Sequence, residues 1–176
     1  MGNCLTSKQK KYVESTATFD QMKKVYSFGS KKSLLGAGSY GKVFKAEYIK
    51  DPEMKVAIKM INKTEMDAAD LENLHREVEV MAKVDHPNIV KYFETYNDKV
   101  NLYLVMELCT GGELLQKVTE SGKPMGEAEL AAQMSKLFKA LVHCHQQNIV
   151  HRDIKPENIM FGADGEIKLI DFGFAV

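Results

Sequence analysis

The sequence predicts an α+β fold in two parts, strand-rich first and helix-led second, with the boundary near Cys109. Three observations predict it. Residues 43–48 roughly alternate, and Lys55-Val56-Ala57-Ile58-Lys59-Met60 reads as the next strand. Leu71, Leu74, Val78 and Met81, and later Leu130, Met134, Leu137 and Leu141, recur at helical spacing. Between these styles Thr110-Gly111-Gly112 breaks the chain, and a joint between unlike halves is a natural place for a cleft.

Taken in order, residues 12–24 read as a polar leader, and an extended pattern begins near Lys32. Asp51-Pro52 marks the turn between the first two clear strands. The first helix carries Leu71 to Met81 and ends at His86-Pro87-Asn88. Strands over 89–96 and 101–107 follow, around a turn at Asn97-Asp98. Past the glycine pair, one helix spans about 127–147. Short apolar pieces then surround a turn at Ala163-Asp164-Gly165.

Composition narrows the function classes. The 176 residues are 44% hydrophobic and 27% charged, ordinary for a globular domain. Twenty-four basic residues balance 24 acidic ones, so nothing asks for nucleic acid as a partner. Seven lysines up to Lys32 face only Glu14 and Asp20, which leaves a basic leader on a mildly acidic body. That pattern is either an interaction tail or a solvated segment. Cys4, Cys109 and Cys144 are odd in number and lack CxxC spacing, which argues against a disulfide scaffold or zinc site and for a reducing compartment. No apolar run reaches membrane-spanning length.

The first residues read as an address. Met1-Gly2-Asn3-Cys4-Leu5-Thr6 fits N-myristoylation at Gly2 once Met1 is removed. One such chain binds membranes only marginally, and a second signal is expected from palmitate on Cys4 and from Lys8, Lys10 and Lys11. The expected location is cytoplasmic and membrane-associated; chance occurrence of Gly at position 2 is the plain alternative.

Gly36-Ala37-Gly38-Ser39-Tyr40-Gly41-Lys42-Val43 fits G-x-G-x-x-G-x-V, whose glycines let backbone N–H groups approach phosphates. A dinucleotide fold needs a helix straight after such a loop, and here a strand follows. On the next strand Ala57 and Lys59 point to one face. A small residue there leaves room for a flat base, and the lysine can reach phosphate oxygens. Glu77, on or near the apolar face of the helix, is the candidate partner for Lys59, with Glu79 as rival.

His151-Arg152-Asp153-Ile154-Lys155-Pro156-Glu157-Asn158 is the densest cluster, and Asp171-Phe172-Gly173 follows a short hairpin. Phosphoryl transfer needs metal ligands, cations on phosphates and a group that orients the nucleophile. Asn158 and Asp171 carry oxygens of the kind Mg2+ takes. Asp153 can accept a hydroxyl proton, and Lys155 can neutralise the moving phosphate.

With these motifs in order, residues 26–176 resemble eukaryotic protein kinases. The resemblance implies an antiparallel five-stranded first lobe with one main helix, over 26–108, and the truncated start of a helical second lobe, over 109–176, behind a leader at 1–25. It implies that Leu35, Val43, Ala57 and Met160 sandwich adenine, and that Gly36, Gly38, Ser39, Gly41, Glu107, Cys109 and Glu113 line the ATP site. It implies a gatekeeper at Met106, a hinge at Glu107-Leu108-Cys109, and a stack of Met81, Tyr92, His151 and Phe172. Lys155-Pro156-Glu157 looks like the serine/threonine type.

Residues 86–91, Cys109–Leu114 and the Met-Gly-Asn-Cys start look like calcium-dependent protein kinases. Glu113 and Glu157 match positions that hold a basic residue upstream of the target Ser/Thr, so a basophilic kinase using ATP is expected. No EF-hand pattern occurs, and Asp164-Gly165-Glu166 reads as a turn, so calcium would act only through regions outside this chain. The family continues beyond the equivalent of Val176. The other reading is therefore a truncated, catalytically weak or inactive membrane-tethered binding or regulatory fragment.

Overall fold

The computed structural model describes residues 17–28, 33–38, 41–64, 66–119 and 125–175. Gly2, Cys4, the Lys8/Lys10/Lys11 cluster and Ser39 lie outside the described residues. The chain divides into two compact units, with the joint between Leu108 and Cys109. Val84–Lys91 belong to the second unit although they lie between two stretches of the first.

In the first unit, β1 (Tyr26–Ser27), β2 (Leu34–Gly38), β3 (Gly41–Tyr48), β4 (Asp51–Asn62), β5 (Tyr92–Asn97) and β6 (Asn101–Glu107) form an antiparallel sheet. The order is β1-β3-β4-β6-β5, and β2 pairs β3 beside β1. The expected five strands are present, and the two-residue β1 is added to them. Alternation decides the faces. Val56, Ile58, Tyr103 and Val105 enter one apolar cluster; Ile61, Leu102 and Leu104 enter the other. The second face is covered by α2 (Ala68–Lys83), whose Leu74 and Val78 pack on it.

The first face is covered by residues expected to form a polar leader. Thr18 and Gln21 form a capping box: the Gln21 N–H donates to the Thr18 hydroxyl (3.4 Å), and the Thr18 N–H donates to the Gln21 amide oxygen (2.6 Å). This starts α1 (Phe19–Met22). Met22 is fully buried and Tyr26 nearly so, and the Phe19 ring stacks on Tyr103 at 5.0 Å. The Tyr26 hydroxyl donates to Glu94 Oε1 at 2.6 Å. The signal was the T-x-x-Q spacing before an apolar residue. The abundance of lysine masked it, because Lys23 and Lys24 point outward.

Three further boundaries move. The turn before β4 is at Ile49-Lys50, not Asp51-Pro52, because Ile49 N–H is held by the Val25 carbonyl (2.8 Å) and Tyr48 pairs with Asp51. Pro52 is tolerated in β4 because the strand there extends past its neighbour β6, whose pairing starts at Val56. The helix ends at Lys83, before His86-Pro87-Asn88. Residues 89–91 are not part of β5: Ile89 bridges Leu169 in parallel, which ties this stretch to the second unit.

In the second unit, α3 (Leu114–Thr119) and α4 (Glu127–Gln146) precede the hairpin of β7 (Ile159–Phe161) and β8 (Ile167–Leu169). The Asp164-Gly165-Glu166 stretch makes its turn, with Asp164 Oδ1 accepting the Glu166 N–H (3.0 Å) and Gly165 at φ +78°. Glu166 also pairs with Lys136 of α4 at 2.5 Å. The buried stripe of α4 is Leu137, Ala140 and Cys144. The expected line of Leu130, Met134, Leu137 and Leu141 runs along the edge of that stripe. Beyond it the helix is apolar on a second side, where Phe138 and Val142 are more than half exposed. Among the described residues, no helix is long and apolar enough to cross a membrane.

Candidate active site

The first unit builds a cation on the face of the sheet that α2 covers. Val43, Lys59 and Leu104 lie abreast on β3, β4 and β6, and Lys45, Ala57 and Met106 form the next row. Lys59 Nζ donates to Glu77 Oε1 of α2 at 2.7 Å. Glu77 is buried, while Glu79 is exposed, so the helix settles which carboxylate faces inward. Gly36 pairs Val43 and Gly38 pairs Gly41, with a register shift that leaves Leu35 outside the ladder and exposed. Gly41 lies at φ +148°, and an added Cβ would meet the Met60 carbonyl oxygen at 2.1 Å, so the loop's last glycine is enforced by backbone crowding. Met81 is buried on α2, and Tyr92 is half-buried on β5. Glu107 ends β6 opposite Val56.

The second unit gathers the cluster from His151 to Asn158. Lys155 Nζ lies 2.7 Å from Asp153 Oδ2. Asn158 Nδ2 donates to the same Oδ2 (2.8 Å) and to the Asp153 carbonyl (2.9 Å). The hydrogen bond from Lys155, aided by Asn158, holds the Asp153 carboxyl below its usual range; reciprocally, Asp153 holds the Lys155 ammonium above its own. Asn158 is buried in a single 3-10 turn, Pro156–Asn158, and its carbonyl accepts the Ile170 N–H. That bond sets Asn158 against the chain one residue before Asp171.

His151 organises this loop from beneath. It is 2% exposed, stacks edge-on to the buried Phe172 ring at 4.7 Å, and faces the Ile170 carbonyl through Nε2 (3.3 Å). Its Nδ1 accepts the Asp153 N–H (3.3 Å). Both contacts suit a neutral ring with its proton on Nε2, and burial pushes the His151 pKa down. Arg152 and Asp171 lie at φ +66° and +59°, conformations that cost energy in non-glycine residues. Arg152 Nε donates to the Phe174 carbonyl (2.5 Å), so the arginine beside Asp153 reaches the segment after Asp171-Phe172-Gly173 through main chain.

A close approach of two distant chain segments, with no local signal in the sequence, places Glu113. Gly111 and Phe161 exchange chain contacts through Gly111 N–H to Phe161 O and Phe161 N–H to Gly112 O, both 2.9 Å. Glu113 then bridges Met160. A Cβ on Gly111 would lie 2.6 Å from that of Phe161, so this approach demands glycine. Glu113 and Glu157 are both exposed, and α3, which starts beside Glu113, packs on the turn that holds Glu157. Cys109 is a half-buried thiol and Cys144 a buried one.

The protein kinase domain family matches residues 30–176. The chain belongs to the protein kinase family. It is 46% identical over 159 residues to calcium-dependent protein kinase 5 of Plasmodium berghei (strain Anka), and 44% identical to its namesake in Plasmodium falciparum (isolate 3D7). In both cases 89% of this chain and 27% of the relative are covered. It is 38% identical to Aurora kinase C of Mus musculus, over 81% of this chain and 51% of that protein. At 46% and 44% identity, the chain is more similar to these two calcium-dependent protein kinases than to that Aurora kinase. It spans about a quarter of the length of those two relatives.

Proposed function

We propose that this kinase chain contributes the ATP-binding half of an enzyme that phosphorylates Ser/Thr side chains on proteins with basic residues upstream. The observation that carries the reading is the Asp153 carboxylate held ionised between Lys155 and Asn158. A carboxylate in that state can orient and accept the proton of a substrate hydroxyl, with Lys155 beside it to meet the incoming phosphate. Lys59, fixed by Glu77, supplies a cation for phosphate oxygens. In the first unit Leu35, Val43, Ala57 and Glu107 would serve the adenine, and Gly36, Gly38, Ser39 and Gly41 the phosphates.

Because Asn158 spends its Nδ2 on Asp153, its amide oxygen is left to point elsewhere, and with the Asp171 carboxylate it makes a pair of hard oxygens suited to magnesium. Magnesium bound there would neutralise phosphate charge. Glu113 and Glu157 present carboxylates for a basic substrate residue. Calcium would act through segments outside these residues. Membrane attachment through Gly2 and Cys4 belongs to the same reading, and a Gly2→Ala chain that stays on membranes as well as wild type would defeat it.

The test is phosphate transfer from Mg-ATP to a basic serine peptide, beside Lys59→Met and Asp153→Asn. Transfer lost in both variants supports the reading. A second reading, a binding or regulatory protein with little catalysis, is favoured by the exposed Phe138 and Val142 side of α4. Transfer absent in wild type and both variants would favour it.

A further inference from the structure

Ser27 is the one Ser or Thr in the sequence with a lysine or arginine three residues before it, Lys24, and Lys23 precedes that. All three side chains are exposed. They are carried by residues 17–28, which lie on the sheet through Met22 and Tyr26. The hold on Ser27 itself is slight: β1 is an edge strand of two residues, with Ser27 opposite Glu47.

We propose that Ser27 is a phosphoacceptor for basophilic serine/threonine kinases, reached when residues 17–28 leave the sheet. The proposal rests on the functional reading above for recognition of upstream lysines. A kinase cleft binds its target extended, and the docked segment cannot be extended because Lys23 and Lys24 follow directly on α1 while Met22 and Tyr26 are buried. The reaction therefore draws on the undocked population. Ser27 Oγ attacks the γ-phosphorus of a nucleoside triphosphate and the new O–P bond forms. The bond to the β-phosphate bridge breaks, the hydroxyl proton passes to the kinase's carboxylate, and the diphosphate leaves. The new dianion stands opposite Glu47, and like charges in a cross-strand pair oppose pairing. Lys45, two residues along β3, is only diagonal to it, and Lys55 lies on the far side of Glu47. The phosphorylated segment docks less well, so the modification holds the sheet face uncovered.

The experiment incubates the full chain with Mg-ATP and an added basophilic kinase of proven activity, and locates phosphate by mass spectrometry of peptides. Wild type should be labelled at Ser27 and Ser27→Ala should not. Met22→Ala should be labelled at least about tenfold faster, since it removes the main anchor. Leu137→Ala, a core change in the second unit, should stay within about twofold of wild type, which separates undocking from general unfolding. Phosphorylated chain should exchange the Met22 and Val25 amide protons faster. Label elsewhere with Ser27 untouched, equal rates for wild type and Met22→Ala, or unchanged exchange would overturn the proposal. An arm with Mg-ATP alone reads the chain's own activity: silence there, with Ser27 labelled in the other arm, counts against that activity and supports the acceptor site.

Discussion

One nitrogen of Asn158 donates to both the carbonyl and the carboxylate of Asp153, at 2.9 and 2.8 Å. The loop thus closes on itself, and the acid's direction is set by a buried amide five residues later. Asn158→Ala should cost about 1–3 kcal/mol, the range for deleting buried hydrogen bonds. Asn158→Asp should cost more, by setting two carboxylates together. Urea unfolding of the three chains checks the order.

Lys59 and Glu77 form a largely buried pair, so removing one partner strands the other. Lys59→Met should destabilise the first unit by about 3 kcal/mol, the low end for breaking a buried pair. Lys59→Met with Glu77→Leu should recover part of the loss. A double-mutant cycle by denaturation measures it, and strict additivity would contradict the pairing.

Stability should fall as pH drops below about 6.5, the ordinary histidine value. Burial lowers the His151 pKa, and burial with the neighbouring His143 ring lowers that of His86. Between the folded and unfolded values the unfolded chain binds more protons, so acid favours unfolding and the loss levels off below the folded pKa. Urea midpoints at pH 7.5, 6.5 and 5.5 should decline in that order. His151→Gln, less stable overall, should show a shallower decline.

Tyr26 and Tyr96 have hydroxyls raised far above the ordinary tyrosine value, first by burial and then by Glu94; burial and Asp98 push Tyr103 up to about 12. In a spectrophotometric titration, at least three of the seven tyrosines should stay largely protonated at pH 11 while the chain is folded. The unfolded chain ionises near pH 10, so stability falls as pH rises past that value. Tyr26→Phe should cost about 1–2 kcal/mol, by leaving Glu94 one donor short.

Gly111→Ala should cost at least about 2 kcal/mol, because the new methyl meets the Phe161 Cβ at 2.6 Å and the Gly162 carbonyl oxygen at 2.8 Å. The same strain parts Glu113 from Met160. Thermal unfolding, with Gly165→Ala as a control in open space at positive φ, tests whether crowding or backbone conformation dominates.

By itself the sequence determined the family, the strand-then-helix order, and the residues of the loop from His151 to Asn158. It could do so because glycine spacing, two-residue alternation and the 3.6-residue period are local properties that survive without neighbours. Only the tertiary structure decided that Lys59 meets Glu77 rather than Glu79, since helix rotation on the sheet selects the inward carboxylate. It also decided that residues 89–91 stay out of β5, with Ile89 bridging Leu169 of β8, and that a lysine-rich leader hides Met22 and Tyr26 in a core. In each case the local pattern was compatible with two outcomes. Apolar burial and backbone pairing, reached only when distant segments meet, chose between them.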